Sequence, residues 1–203
     1  ALRSNTTLQH LSVEDTVHET GICALMSVLR ESNESLTSLE VAHGTMGMKG
    51  VEAVARYLRS KKNSSEEQGG GGLKRLELVC CGLGDDEVRI IADSLKGNRK
   101  LEELDLPFNK IGRSGFQSIA KALQYNVSLE EVELYNNPGC DDKEIDILHE
   151  IDVRLQNNRV WKLLGRHDKQ GMDVLVPWLI SSLGVDNGFL LTREKPHLFH
   201  GHR

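Results

Sequence analysis

The apolar positions of the chain repeat at two spacings that alternate along its length. Five segments carry the pattern Leu-x-x-Leu-x-Leu or a valine variant of it, and apolar residues at helical spacing follow each one. The first leucines of these segments lie 28, 37, 28 and 28 residues apart, at Leu8, Leu36, Leu73, Leu101 and Leu129. A period of this length predicts a solenoid in which every unit contributes one short strand and one helix.

Each unit changes from a strand pattern to a helix pattern within its own length. The strand pattern alternates, with buried positions at Leu11, Leu39, Leu76, Leu104 and Val132 and at Val13, Val41, Leu78, Leu106 and Leu134. The helix pattern has apolar residues three or four apart, at Met26, Val54, Ile91, Ile119 and Ile147 and at Leu58, Leu95, Leu123 and Ile151. Glycine occupies the turn between the two patterns, where a missing side chain relieves the backbone, at Gly47, Gly84 and Gly112.

Equivalent positions of successive units form columns, and two polar columns occupy the turns of the repeat. The first column is the eighth position after each first leucine, where we expect the side chain to bond backbone groups under the turn. The residues of this column are Thr16, Gly44, Cys81, Asn109 and Asn137. A second column lies where each helix ends, because asparagine tolerates the left-handed conformation there, at Asn5, Asn33, Asn98 and Asn126. Asn5, Asn33 and Asn126 also fall in glycosylation sequons, as does Asn63, but the repeat explains the column better than glycan attachment does.

The fourth unit, from Leu101 to Leu123, shows the full pattern and reads Leu-Glu-Glu-Leu-Asp-Leu-Pro-Phe-Asn-Lys-Ile-Gly-Arg-Ser-Gly-Phe-Gln-Ser-Ile-Ala-Lys-Ala-Leu. It resembles the ribonuclease-inhibitor class of leucine-rich repeats. That class also includes the sensor domains of NOD-like receptors, the Ran GTPase-activating protein and the capping domain of tropomodulin. The resemblance covers residues 1 to about 158 and implies an α/β horseshoe, with a parallel sheet on the concave face and helices on the convex face.

The expected organisation is one repeat domain followed by an irregular region. Residues 1–158 form the five units, and a flexible polar insertion at 61–72 accounts for the lengthened step. Residues 159–203 form a helical C-terminal cap or tail. Because Ala1–Asn5 matches the end of a repeat helix, we expect the chain to be part of a longer polypeptide or assembly.

The C-terminal region departs from the repeat but keeps apolar clusters. Residues Val160–Leu164 would add a sixth, irregular strand. The clusters around Trp178 and Phe199 either cover the open end of the solenoid or bind a partner, and we include both residues as candidates for partner binding. The terminal histidines are expected to be solvated rather than to bind a metal, at His197, His200 and His202.

Charge and cysteine content exclude several classes of function. A formal net charge of −5 argues against a nucleic-acid binder, which needs a basic face to release counterions. The most apolar late segment, Met172–Leu191, is broken by charges and a proline, so we expect no membrane segment and no secretory leader. Four cysteines without disulfide or metal spacing predict a reducing, intracellular compartment, most simply the cytoplasm, with the interior of an organelle as the alternative.

The sequence contains none of the common catalytic motifs. It has no nucleophile elbow, no Walker loop and no His-Glu-x-x-His, so we expect a protein that is not an enzyme and needs no cofactor or metal. The resemblance leaves two alternatives open. One is GTPase activation like that of the Ran activator, through polar turn residues such as Asn109 or Arg113. The other is capping of actin pointed ends like that by tropomodulin.

The concave face of the predicted sheet is acidic. One column on this face reads Ser12, Glu40, Glu77, Asp105 and Glu133, and the column beside it reads His10, Ser38, Arg75, Glu103 and Glu131. Like charges on neighbouring strands, about 4.8 Å apart, repel by roughly 1 kcal/mol per pair even in water, unless solvated carboxylates turn apart. We therefore expect a protein partner with a basic segment, bound by Glu40, Glu77, Asp105 and Glu133, with support from Glu103, Glu131 and Tyr135.

Overall fold

A computed structural model of the chain describes residues 2–15, 17–59, 72–140 and 145–165. These residues form five strands, five α-helices and two short 3-10 helices. The chain divides into two compact units, Ala1–Leu155 and Gln156–Arg203. The first unit contains the five repeats, and the described part of the second unit is the C-terminal portion of one helix.

The five strands form one parallel sheet in sequence order. They are β1 (His10–Glu14), β2 (Ser38–Ala42), β3 (Arg75–Val79), β4 (Glu103–Asp105) and β5 (Glu131–Glu133). The register pairs equivalent positions of successive units, as in Leu76 with Leu104 and Leu104 with Val132. The predicted fold class and the predicted adjacency of the columns are therefore confirmed.

One α-helix follows each strand. The helices are α1 (Glu19–Ser32), α2 (Gly47–Leu58), α3 (Asp85–Leu95), α4 (Arg113–Leu123) and α5 (Ile145–Gly165), with 3-10 helices at Leu2–Ser4 and Pro138–Cys140. Helices α1 to α4 pack side by side in chain order. Strand and helix thus alternate throughout the first unit, as an α/β solenoid requires.

The last helix is longer than the sequence pattern predicts. The sequence pattern placed helical positions at Ile147 and Ile151 and an irregular strand at Val160–Leu164, but α5 continues through these residues to Gly165. No glycine or proline interrupts residues 144–164, so nothing in the sequence ends the helix earlier. The prediction of a sixth strand is wrong.

The hydrophobic core lies between the sheet and the helices. Leu39, Leu76 and Leu104 point into it from the strands, and Val54 and Ile91 from the helices, and all five are essentially inaccessible to solvent. Packed helices stand about 8–10 Å apart, whereas neighbouring strands stand about 4.8 Å apart. Because the helical layer needs about twice the spacing, the sheet becomes the inner, concave side of the array.

Side chains in the first turn column join each unit to the unit before it. Asn109 Nδ2 donates to the carbonyl oxygen of Leu78 at 2.7 Å, and Asn109 Oδ1 accepts from the backbone N–H of Cys81 at 2.9 Å. One unit later, Asn137 Nδ2 donates to the carbonyl oxygen of Leu106 at 2.8 Å, and Asn137 Oδ1 accepts from the backbone N–H of Ile111 at 3.1 Å. One unit earlier, the Cys81 thiol takes this position and donates to the carbonyl oxygen of Val41 at 3.3 Å. The predicted structural role is confirmed for Cys81, Asn109 and Asn137.

The column of Asn5, Asn33, Asn98 and Asn126 closes the helix-to-strand turns through its side chains. None of these four residues has a positive φ, so the expectation of a left-handed conformation is wrong. Asn126 Nδ2 donates to the carbonyl oxygens of Leu95 and Asn98, at 2.7 and 3.2 Å. Asn33 makes the equivalent bonds to the turn before it, at 2.9 and 3.0 Å. Both side chains are buried, so these two sequons have no room for a glycan in the folded chain.

The strand-to-helix turns use carboxylates as well as glycine. Gly47 has φ +59, a conformation that glycine adopts without strain, and a Cβ there would collide with the carboxylate of Glu19. Gly112 has φ −98, which any residue adopts. Asp85 Oδ1 accepts the backbone N–H groups of Gly112 and Gly115 at 2.7 and 2.9 Å. The acid at the start of one helix therefore caps the next helix.

Candidate functional site

The concave face, meaning the sheet face turned away from the helices, carries two rows of polar side chains. The register aligns Ser12, Glu40, Glu77, Asp105 and Glu133 in one row and His10, Ser38, Arg75, Glu103 and Glu131 in the other. The leucines between the rows face the core. All six acids that the sequence analysis selected from strands β2 to β5 therefore share one surface.

Arg75 is the positive group within these rows, and the sequence analysis missed its role. Arg75 Nε lies 2.9 Å from Glu77 Oε1, and its Nη1 lies 3.0 Å from Glu103 Oε2. Its Nη2 lies 3.0 Å from Asp105 Oδ2. One guanidinium therefore relieves the repulsion among three carboxylates, and the need for a cation at these three positions is met within the sheet.

Asp105 is the buried member of this cluster, with a side chain only 5% exposed. Burial raises the pKa of Asp105 to about 6, and the attraction of Arg75 offsets this only in part. For Arg75, partial burial acts to lower the pKa, but the charges of Glu77, Asp105 and Glu103 raise it overall. Asp105 is thus a positioning group for Arg75 and is poorly placed to touch a partner.

Three other acids on the concave face lack a cation within the described part of the chain. Glu40, Glu131 and Glu133 form no ion pair with any described residue. Glu131 is exposed, and Glu40 and Glu133 are half-buried. We refer to these three residues as the open acids, because their carboxylates are the ones that remain available to a ligand.

An exposed aromatic pair lies beyond the C-terminal ends of β4 and β5. Tyr135 follows Glu133 by two positions and is 50% exposed, and Phe108 is 52% exposed. The two rings meet edge to face, with centroids 5.5 Å apart and an interplanar angle of 84°. Tyr135 was a predicted site residue, whereas the sequence analysis overlooked Phe108.

Phe108 belongs to a column that adopts the left-handed conformation in every unit. Its φ is 56°, and the same conformation recurs at Asp15, His43, Cys80 and Asn136. Aspartate and asparagine are common in this conformation, whereas a bulky side chain is unusual there. The chemical contrast between Phe108 and the other members of its column is the signal that would have revealed it.

The remaining predicted residues fall outside this site. Trp178 and Phe199 lie outside the described residues, as do the three terminal histidines. Asn109 is buried, and both ends of its amide are bonded to backbone groups. Arg113 is exposed at the start of α4. The GTPase-activating alternative therefore gains no support from Asn109, and it stays a prediction.

The described residues offer few groups for metal binding, membrane insertion or thiol chemistry. They contain no group of three or more histidine, cysteine or acidic side chains placed to hold a metal ion. No helix among them has the length and apolar character needed to cross a bilayer. The cysteines are free thiols, and burial raises the pKa of Cys81 to about 11, which makes that thiol unreactive.

Comparisons with known proteins agree with this geometry. A family model described as Leucine Rich repeat matches residues 32–55 and 97–120. The chain is also similar to NACHT, LRR and PYD domains-containing protein 5 of Mus musculus, with 30% identity over 105 residues. That match covers 52% of this chain and 8% of the mouse protein, so the chain spans less than a tenth of the length of this relative.

A solved structure titled Leiomodin-1 Actin-Binding Site 2 is also similar, with a TM-score of 0.42 and 18% sequence identity. The match covers 87% of this chain and 91% of that chain. At this level of similarity the match carries no argument about actin.

The parallel sheet, the alternating helices and the asparagine turn columns together define a leucine-rich repeat solenoid. The matches support leucine-rich repeats of the ribonuclease-inhibitor-like kind in this chain. Repeats of this kind commonly present extended surfaces for binding other proteins.

Proposed function

We propose that the protein is a non-catalytic interaction module whose concave face binds a basic segment of a protein partner. The observation that carries the proposal is the presence of the open acids Glu40, Glu131 and Glu133 on a face where the acids between them already pair with Arg75. A segment rich in lysine or arginine would supply the cations that the open acids lack.

The distribution of charge supports this choice of face. Within the five described strands, the face carries one guanidinium, that of Arg75, and seven carboxylates, at Glu14, Glu40, Glu77, Glu103, Asp105, Glu131 and Glu133. Seven negative charges and one positive charge give −6, whereas the whole chain has a formal net charge of −5. The rest of the chain therefore sums to +1, and the negative charge of the protein is concentrated on one surface.

The location of the open acids also distinguishes them from ordinary solvated carboxylates. Glu40 lies on β2 and Glu131 and Glu133 lie on β5, three strands further along the sheet, so the register holds the two groups about 14 Å apart. Pre-arranged charges of this kind favour rapid, salt-sensitive association with a basic partner.

Site-specific photocrosslinking tests which face contacts the partner. A photoreactive amino acid is placed at exposed Ser12 on the concave face, and at exposed Glu52 on α2 as the control. After irradiation in cells, we expect Ser12 to yield crosslinked peptides rich in lysine or arginine. The absence of crosslinks from Ser12 above the Glu52 background would contradict the proposal, as would crosslinks from Ser12 to acidic segments.

Charge variants then test the open acids with the crosslinked partner. Replacing all three by glutamine is expected to weaken binding about tenfold and to flatten its dependence on salt. The matched control neutralises three exposed acids on the helices, in the triple variant E52Q/D86N/D93N, and should leave affinity unchanged. Equal losses of affinity in the two variants would mean that binding depends on the net charge of the chain and not on the open acids.

A further inference from the structure

The described residues expose four large hydrophobic side chains, and two of them are in contact with each other. These four are Met48, Phe108, Tyr125 and Tyr135. The Phe108 and Tyr135 rings form an edge-to-face pair, half accessible to solvent, at the C-terminal ends of β4 and β5. The chain has nine phenylalanine, tyrosine and tryptophan residues, and two of them form this exposed pair.

Folding does not account for phenylalanine at position 108. The backbone there has φ 56°, and the next unit fills the same position with Asn136. Asparagine adopts this conformation at lower cost than phenylalanine does. Half of the Phe108 side chain lies in solvent, so the burial of the ring offsets only part of the energetic cost of this backbone conformation.

The contacts of Arg75 show how this sheet binds a guanidinium group. Arg75 of β3 reaches across to Glu103 and Asp105, which lie two residues apart on the following strand. The register makes Glu131 and Glu133 of β5 the equivalents of Glu103 and Asp105. The residue of β4 that corresponds to Arg75 is Glu103 itself, so the same pair of acids recurs on β5 without an internal arginine.

The tyrosine of the aromatic pair lies just beyond Glu133 in the chain. Tyr135 follows Glu133 by two positions, which corresponds to about 7 Å along the strand direction. A guanidinium group is planar, pairs with carboxylates through several N–H donors and stacks on aromatic rings, whereas a lysine ammonium is a compact, strongly hydrated charge. An acidic pair beside two exposed rings is therefore complementary to arginine.

We propose that Phe108, Glu131, Glu133 and Tyr135 form a subsite that binds an arginine side chain of the partner in preference to lysine. This inference rests on the proposed function and names the chemistry that the basic segment presents at β5. The guanidinium of the partner would pair with Glu131 and Glu133 as that of Arg75 pairs with Glu103 and Asp105.

Titration of the full chain with short peptides tests the subsite. The probes are the amidated peptide Gly-Arg-Gly-Arg-Gly and its counterparts with lysine or citrulline, and the readout is the NMR signals of the two rings. We expect the arginine peptide to shift both rings and to bind about fivefold more tightly than the lysine peptide. The citrulline peptide, which has the same shape without the charge, should leave the rings unchanged.

Two variants separate the aromatic contribution from the charge. F108N/Y135S should reduce the preference for arginine below about twofold while it keeps the binding of the lysine peptide. Position 108 accepts asparagine because the next unit carries it, so this variant is expected to fold. E131Q/E133Q should weaken both peptides equally.

The outcomes distinguish the subsite from the proposed function. Equal affinities for the arginine and lysine peptides would overturn the subsite, and so would a preference that persists in F108N/Y135S. If the peptides shift residues along β2 to β5 but not the two rings, the subsite fails and the acidic face stands. If they shift only residues of the helices, both proposals fail.

Discussion

The role of Arg75 leads to a prediction about stability. In Arg75→Met, the aliphatic part of the side chain is kept and the guanidinium is lost, so Glu77, Glu103 and Asp105 lose the cation between them. We expect the variant to be folded but clearly less stable than the parent chain at pH 7, as measured by thermal unfolding.

The magnitude follows from the exposure of each ion pair. Glu77 and Glu103 are 23% and 37% exposed and Arg75 is 44% exposed, so these two pairs together contribute about 1 kcal/mol. Asp105 is 5% exposed, and a buried carboxylate left without its partner costs about 2 kcal/mol more in such a half-open site. A loss of about 3 kcal/mol corresponds to about 6–12 °C in melting temperature for a chain of this size.

The loss of stability in Arg75→Met should depend on pH. The pKa of Asp105 in the folded chain is raised to about 6 from an ordinary value of 3.8. The stability linked to this proton is therefore present at low pH and is lost as the pH rises through 6. Without Arg75 the pKa of Asp105 rises further, so Arg75→Met gains more from acidification, and its deficit should be smaller at pH 5 than at pH 7.

The control is Arg89→Met, because Arg89 forms an exposed pair with Asp86 at 3.4 Å. This substitution should change stability by less than about 0.5 kcal/mol. If Arg75→Met melts within the range of Arg89→Met at pH 7, or if its deficit is the same at pH 5, the assigned role of Arg75 is wrong.

Two further predictions concern the turns. Asn109→Ala leaves buried groups of Leu78 and Cys81 unpaired and should cost about 3 kcal/mol in urea unfolding, against about 1 kcal/mol for the exposed, left-handed Asn136→Ala. Equal costs would show that the bonds of Asn109 do not hold the turn. In the folded chain, iodoacetamide should modify exposed Cys80 and spare Cys81, whose pKa is raised to about 11 by burial, as mass spectrometry can determine. Similar rates of labelling at the two thiols would contradict the assigned burial.

The sequence was sufficient to predict the repeat fold and to predict which residues lie next to each other on neighbouring strands. A constant period forces equivalent residues onto neighbouring strands, so Leu76, Leu104 and Val132 had to be adjacent once the units stacked. The turn roles of Asn109 and Cys81 followed in the same way, because a buried turn needs side chains to satisfy its backbone.

The candidate site was less predictable than the fold. The reach of a side chain and the conformation of the backbone cannot be read from the residues that share a column. Charges compared within one column do not reveal the role of Arg75, because Arg75 pairs with acids in two columns and on two strands. Phe108 was overlooked because its left-handed backbone gives no hydrophobic pattern. The length of α5 was underestimated because the apolar spacing changes after Leu155 while the backbone continues.

The bonds of Asn109 have a practical consequence for dissecting the chain. The turn that ends β3 is completed by a side chain that belongs to the following unit. A fragment cut at the boundary of its third repeat would retain every residue of β3 and still lack the group that closes the turn. Truncated chains used to map the partner-binding region should therefore end beyond the next asparagine. Otherwise a loss of binding caused by an incomplete turn would be mistaken for the loss of a contact with the partner.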